Sequence, residues 1–201
     1  MNLTKLYDTQ RILDERIVQQ KGLEGRDMLP EKILALLVEL GELANEERCW
    51  KFWSEDRTPR VSVKCSNCGG KGFNDYFCFG GEGHDTTDCG DCEGTGLTKN
   101  KNPLLEEYVD CLHFILSIGL ECGFVNITLL DRQKTSDVVS QFSKLFCKIT
   151  DFSKYPNLMN YKWIWSYFLG LCEHLGFIWE QIETAYFEKN TINHKRQDTG
   201  Y

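Results

Sequence analysis

Apolar residues recur at three- and four-residue spacings along most of the chain. Leu3, Leu6, Ile12, Leu13 and Ile17 mark a helix over residues 2–20. Pro30 sits where a first-turn proline belongs, and Glu31 and Lys32 lead into ILALLVELGELANEERCWKFW. That run is read as one helix, apolar on more than one face and therefore central. LLEEYVDCLHFILSIGLECG follows Pro103 and predicts another buried helix, stopping near Gly119 or Gly123. Helical periodicity returns over 135–149 and 158–188, broken at Pro156 and Gly176. Alternation of the strand kind is confined to VSVKC at 61–65. The body is expected to be all-α, a helical bundle.

Between Pro59 and Pro103 the pattern changes. Nine of the 17 glycines fall between Gly69 and Gly96, and glycine costs a helix about 1 kcal/mol per position. The stretch interrupts two helices that read as neighbours in one bundle. The expected division is a bundle of residues 1–56 and 104–201, with an inserted module at 57–103.

The chain has ten cysteines, and Cys65, Cys68, Cys78, Cys89 and Cys92 lie within the insertion. CSNCGGKG at 65–72 and CGDCEGTG at 89–96 both fit C-x-x-C-x-G-x-G. Two intervening residues let both thiolates of a pair reach one ion, and the glycines permit the turn that follows. Cys65, Cys68, Cys89 and Cys92 would close a tetrahedral zinc site with no position left for water, hence a structural one. The competing reading is two CxxC redox pairs. Cys78 and His84 are spare potential ligands, expected to be unused. The repeat resembles the zinc-binding repeats of the DnaJ chaperone family, in two copies and without a J-domain.

The N-terminus has no apolar core of a secretory signal and no run of 18 apolar residues exists. A cytoplasmic protein without membrane association is expected, which disfavours disulfides. The formal net charge of -7 argues against a non-specific nucleic-acid binder, which needs excess Lys and Arg.

Two carboxylate pairs stand out. Glu39 and Glu42 lie three apart in VELGEL, as do Glu107 and Asp110 in EEYVDCLHF. Such pairs share a helix face. Among leucine, valine and isoleucine an unpartnered carboxylate is costly. Facing each other, the pairs would offer hard oxygen ligands suited to Mg²⁺ or Mn²⁺. The alternative is that each pair lines the solvent side of its helix.

ExxE followed by ExxD on paired helices resembles the dimeric dUTPases of the all-α NTP pyrophosphatase superfamily, which includes the MazG-like enzymes. TQRILD, with Gln10 and Asp14, is similar to the family's Q-x-x-x-[N/D], which reads uracil. WKFW, Trp50 to Trp53, follows the ExxE helix where the family has an aromatic that packs on the base; Trp53 is the first choice and Trp50 the second. DCLHFILSIGL matches the segment after the second pair, including His113. The C-terminus matches K-x-x-x-N-x-x-R-Q-x-x-G-Y with Lys189, Asn193, Arg196, Gln197, Gly200 and Tyr201. The resemblance covers the chain outside roughly 57–103. Asp14 departs from the Asn of many members, and phage-type members carry insertions near this point, which implies a phage or prophage origin.

The resemblance implies hydrolysis of dUTP to dUMP and pyrophosphate, with attack at the β-phosphorus. It implies Mg²⁺ held by Glu39, Glu42, Glu107 and Asp110, Glu42 as the base, and phosphate contacts from Lys189 and Arg196. Gln10 and Asn193 would select uracil, and His113 or an aromatic would pack near the sugar. A homodimer is implied, and by resemblance to phage members a regulatory protein partner. Two alternatives stay open: a related pyrophosphatase acting on dCTP or many NTPs, and a zinc-module interaction protein. Lys189, Asn193 and Arg196, spaced four and three apart, also fall on one helix face without the resemblance. There they suit a phosphate chain, the alternative being a basic, frayed tail.

Overall fold

The computed structural model describes residues 2–77, 84–99 and 101–200. The chain divides into two compact units, one of Met1–Pro59 with Leu105–Tyr201 and one of Arg60–Leu104.

Six helices occur among the described residues: α1 Leu3–Lys21, α2 Leu29–Glu47, α3 Pro103–Glu121, α4 Val138–Lys154, α5 Leu158–Leu175 and α6 Trp179–Asp198. The fold class is all-α. Three helices start on side-chain caps that take up otherwise orphaned N–H groups: Asn2 accepts from Lys5 N, Asp137 from Ser140 N and Asn157 from Asn160 N. Gly22 and Gly176 end α1 and α5 in the left-handed conformation.

The first unit's core is aromatic as well as aliphatic. Trp165, Tyr7, Tyr108, Tyr161 and Tyr186 are all buried. A buried phenol needs a partner, and each has one. Tyr7 and Tyr161 hydroxyls meet at 2.7 Å, Tyr161 also donates to Ile115 O, and Tyr108 donates to Phe168 O at 3.1 Å. Tyr108 and Phe168 rings stack at 4.2 Å.

Two sequence expectations, for α2 and for VSVKC, need correction here. α3 ends at Glu121, between the two glycines expected to stop it, with Gly123 at φ 71 and Gly119 inside the helix. A Cβ on Gly119 would lie 2.3 Å from the Tyr161 hydroxyl, so that glycine admits a ring instead of ending a helix. α2 ends at Glu47, six residues before Trp53. Arg48 adopts φ 68, the Glu47 carboxylate accepts from Cys49 N, and the Trp50 indole N–H takes the Ala44 carbonyl. The Glu47 carboxylate thus claims the Cys49 N–H that another turn would need, and Ala44 O, already bonded to Arg48 N, takes the indole as well. VSVKC forms no strand; it contributes only the isolated bridge Lys64↔Leu97.

The second unit carries the strands instead. β1, Phe73–Phe77, pairs antiparallel with β2, His84–Asp88, from Phe73↔Asp88 to Phe77↔His84. The two cysteine repeats fold reciprocally. Cys65 N donates to Gly96 O and Cys89 N to Gly72 O, both at 2.8 Å. A Cβ on Gly72 would meet Gly94 O at 2.4 Å, and one on Gly96 would meet Gly70 O at 2.5 Å. A repeat in sequence has become a local two-fold.

Candidate functional site

α3 presents Glu107, Asp110, His113 and Ser117 within three turns, at spacings of three and four. α1 supplies Gln10 and Asp14, α2 supplies Glu39, and α6 supplies Lys189, Asn193 and Arg196. Most of these side chains line one pocket of about 320 Å³ within the first unit, ample for a small ligand's polar head and ring.

At one end Glu39, Glu107 and Asp110 bring carboxylate oxygens within 4.8 Å of one another. Glu42 is outside that trio, exposed one turn along α2, yet near enough that its charge acts on Glu39 and Glu107. Burial, then the neighbouring carboxylates, pushes Glu39 and Glu107 up to about 7. Burial also raises Asp110, opposed by Lys189, whose Nζ donates to Asp110 Oδ2 at 2.5 Å. The offsetting cation, missing from the local sequence, arrives from α6. Crowded, half-buried, mutually repelling carboxylates are the donor set of a hard divalent cation, so the residues present fit Mg²⁺.

This crowding has a measurable sign. A carboxylate whose folded pKa lies above its unfolded value stabilises the fold relative to its ionised form at low pH. That contribution is complete below about 4.5 and is lost as pH rises through about 7. Without divalent cation, thermal stability is expected to fall between pH 5 and 8, and added Mg²⁺ should raise the melting temperature more at pH 8 than at pH 5.5. Calorimetry at both pH values checks this; a Mg²⁺ shift independent of pH would contradict it.

Gln10, Asp14 and His113 form the other end as a bonded chain. Gln10 Nε2 donates to Asp14 Oδ1 at 2.7 Å, and Gln10 Oε1 lies 2.7 Å from His113 Nδ1. The Tyr186 hydroxyl donates to the same Oε1 at 2.9 Å and its ring stacks on His113 at 4.3 Å. Ser117 Oγ donates to Asp14 Oδ2 at 2.5 Å. Burial lifts the Asp14 pKa, while Ser117, Gln10 and Lys32 oppose it. Burial and the Lys189 charge drop His113 to about 3, so its ring is neutral.

Between the ends, Asn193 and Arg196 share the α6 face with Lys189, and Arg196 Nη1 donates to Asn193 Oδ1 at 3.4 Å. Trp53 does not line this pocket. Its ring is 64% exposed and meets Trp50 at 5.3 Å and Phe52 at 5.0 Å, edge to face. Trp50 lines a separate apolar hollow with Phe142 and Phe146. Sequence reasoning did not single out Ser117, Tyr186 or Lys32 as site residues. Ser117 lies on the same α3 face as Asp110, seven residues on, which is the signal that could have found it.

The second unit gathers Cys65, Cys68, Cys89 and Cys92, all buried, with their sulfurs within 4.8 Å of one another. Cys65 and Cys89 sulfurs are 3.9 Å apart, Cys68 and Cys92 3.8 Å. Gly72 N and Gly96 N donate to Cys68 and Cys92 sulfurs at 3.2 Å, and Asn67 Nδ2 to Cys89 sulfur at 3.5 Å. Cys78, the side chain of His84 and Tyr201 lie outside the described residues.

No described helix is long and apolar enough to cross a membrane. Searches of curated proteins and of solved structures each returned no significant match. A family model described as dUTPase matches residues 2–65 and 95–201, which takes in every pocket side chain named above and leaves out Cys68, Cys89 and Cys92. By that match, the chain belongs to the all-α dUTPase family.

Proposed function

We propose that the protein hydrolyses dUTP to dUMP and pyrophosphate with Mg²⁺. The observation that carries this is the pocket's division: a three-carboxylate cluster at one end, the hydrogen-bonded chain of Gln10, Asp14 and His113 at the other, and Lys189 with Arg196 alongside. Glu39, Glu107 and Asp110 would hold the cation, with Glu42 at its exposed side. Bound there, Mg²⁺ neutralises triphosphate charge and makes water at the site more acidic.

The chain's own groups divide the remaining work. Glu42, free of the crowded trio, takes the proton from the attacking water at a carboxylate oxygen. Lys189 and Arg196 bind phosphate oxygens as the water oxygen bonds to the β-phosphorus, the α–β bridge breaks and charge moves onto the leaving dUMP phosphate. Gln10 and Asn193 meet the polar edge of uracil, and closeness of fit excludes the thymine methyl. Asp14, His113 and the sugar share the same end. In this reading Trp53 is not a partner for the base within its own subunit. Leu34, Val38, Phe52 and Trp53, all exposed, support a homodimer that covers apolar surface.

Pyrophosphate release from dUTP, dCTP, dTTP and UTP, with and without Mg²⁺, tests the reading. The expected outcome is Mg²⁺-dependent cleavage of dUTP, with each competitor poorer by at least about 100-fold in kcat/KM, or about 2.7 kcal/mol. Comparable rates on dCTP would leave a pyrophosphatase of broader specificity.

The cysteine unit is assigned a second, structural metal, zinc. Zinc–sulfur bonds of about 2.3 Å in a tetrahedron set neighbouring sulfurs about 3.8 Å apart, and the two measured pairs are at 3.8 and 3.9 Å. A disulfide needs about 2.05 Å. Glycine N–H groups aimed at sulfur favour the thiolate over the thiol.

A further inference from the structure

Asp14 and His113 are joined through one amide, and the direction of every bond in that chain is fixed by its acidic end. Asp14 Oδ1 faces Gln10 Nε2 at 2.7 Å, while Oδ2 faces Ser117 Oγ at 2.5 Å and Lys32 Nζ at 3.8 Å. A carboxylate only accepts hydrogen bonds. Gln10 must therefore turn its nitrogen to Asp14 and its oxygen the other way. That oxygen meets the Tyr186 hydroxyl at 2.9 Å and His113 Nδ1 at 2.7 Å. An amide oxygen cannot donate, so both partners do. His113 Nδ1 carries the ring's proton, and a neutral ring then has none on Nε2.

The bare nitrogen is not used by the protein. His113 Nε2 is buried and has no hydrogen-bond partner among the described residues. His113 is 6% exposed and lines the pocket with Gln10 and Asp14. Tyr186 stacks against the ring with 25° between planes, so the ring cannot swing to find another partner without losing that contact.

We propose that Asp14, acting through Gln10, sets His113 as a hydrogen-bond acceptor for the ligand, so that whatever occupies this end must donate an N–H or O–H to His113 Nε2. Gln10 keeps one amide hydrogen for a ligand carbonyl. Ser117, Lys32 and Tyr186 are positioning residues: the first two favour the carboxylate form of Asp14 against the burial that opposes it, and Tyr186 holds the Gln10 oxygen and the ring plane. The polarity does not depend on the dUTP reading. The donor's identity does rest on it: a deoxyuridine nucleotide has two, the imide N3–H and the sugar 3′-hydroxyl.

Two measurements test this on the full chain. Long-range ¹H–¹⁵N correlation of histidine-labelled protein reads the tautomer directly, with the His113 signals assigned by their loss in His113→Phe. Nδ1–H is expected in the wild type, and Asp14→Leu should admit a substantial Nε2–H population. An Nε2–H tautomer in the wild type would overturn the proposal. The second measurement is binding of α,β-imido-dUTP with Mg²⁺, beside its N3-methyl and 3′-deoxy forms. One of the two should bind at least about tenfold more weakly to the wild type, and His113→Phe should erase that difference. The form that loses affinity identifies the donor as base or sugar. A deficit of equal size in both proteins would overturn the assignment to His113. An Nδ1–H tautomer in a protein that does not bind the parent analogue would uphold the polarity and remove the deoxyuridine reading.

Discussion

Glu42→Gln is expected to keep the fold and to lose at least about a thousandfold in kcat, or about 4.1 kcal/mol of transition-state stabilisation. Glutamine preserves size, and the position is exposed on α2, so no packing changes. The charge matters in two opposed ways. Glu42 helps to raise Glu39 and Glu107 by repulsion; removing it should let both ionise more readily and leave cation affinity nearly intact. The proposed acceptor for the water's proton goes with it. The variant should therefore show a split: kcat collapses while the Mg²⁺ concentration for half-saturation moves less than about tenfold. Glu107→Gln should do the opposite to Mg²⁺, weakening it strongly, because it removes one of the three close carboxylates proposed to hold the cation. Turnover near normal in Glu42→Gln would return that residue to the solvated helix face that its spacing also allows.

The second large effect is confined to the cysteine unit. Cys89→Ser with Cys92→Ser should abolish zinc binding and unfold residues near 60–102 while leaving most helical signal. The four cysteines form their own small buried cluster, far too little apolar surface to order a unit of this length, so the proposed zinc would supply most of its folding energy. The bundle has its own core, and every pocket side chain named here belongs to that unit. Elemental analysis of the wild type should give one zinc per chain, and circular dichroism with protease mapping should localise the loss in the variant. Zinc-free protein with paired disulfides would replace the metal with redox chemistry.

Much of this was legible in sequence because helices and metal knuckles are local patterns. The 3.6-residue period located the helices, and the CxxCxGxG spacing located both halves of the cysteine cluster. The carboxylate pairs were readable as faces, since i,i+3 is a property of one helix. What failed was set by side chains that interfere with the backbone pattern. The apolar run through Cys49, Trp50 and Trp53 reads as more helix, yet Arg48 turns left-handed and the Glu47 carboxylate takes the next N–H. Gly119 and Gly123 read alike as stops for α3, and only the packing shows that Gly119 makes room for Tyr161. The surrounding glycines hid the strands at 73–77 and 84–88: FNDYF carries aromatics that do not alternate with polar residues, and HDTTD carries no apolar residue. Tyr186 and Lys32 were out of reach for a different reason: each acts on a residue more than a dozen positions away, and no local pattern encodes that meeting.

The hairpin between the cysteine repeats solves a problem of chain direction. Copying a motif 24 residues further along a chain is a translation, whereas one shared ion surrounded by four equivalent sulfurs calls for a rotation. The path from the first knuckle must reverse before it enters the second. β1 leaves directly after Gly72, β2 arrives directly before Cys89, and Phe73 faces Asp88 at the ladder's base. Antiparallel pairing at that first rung performs the half-turn. Everything beyond the rung is free of the constraint, so natural variation in this module should concentrate at the far end of the ladder, where added or lost residues leave both knuckles in register.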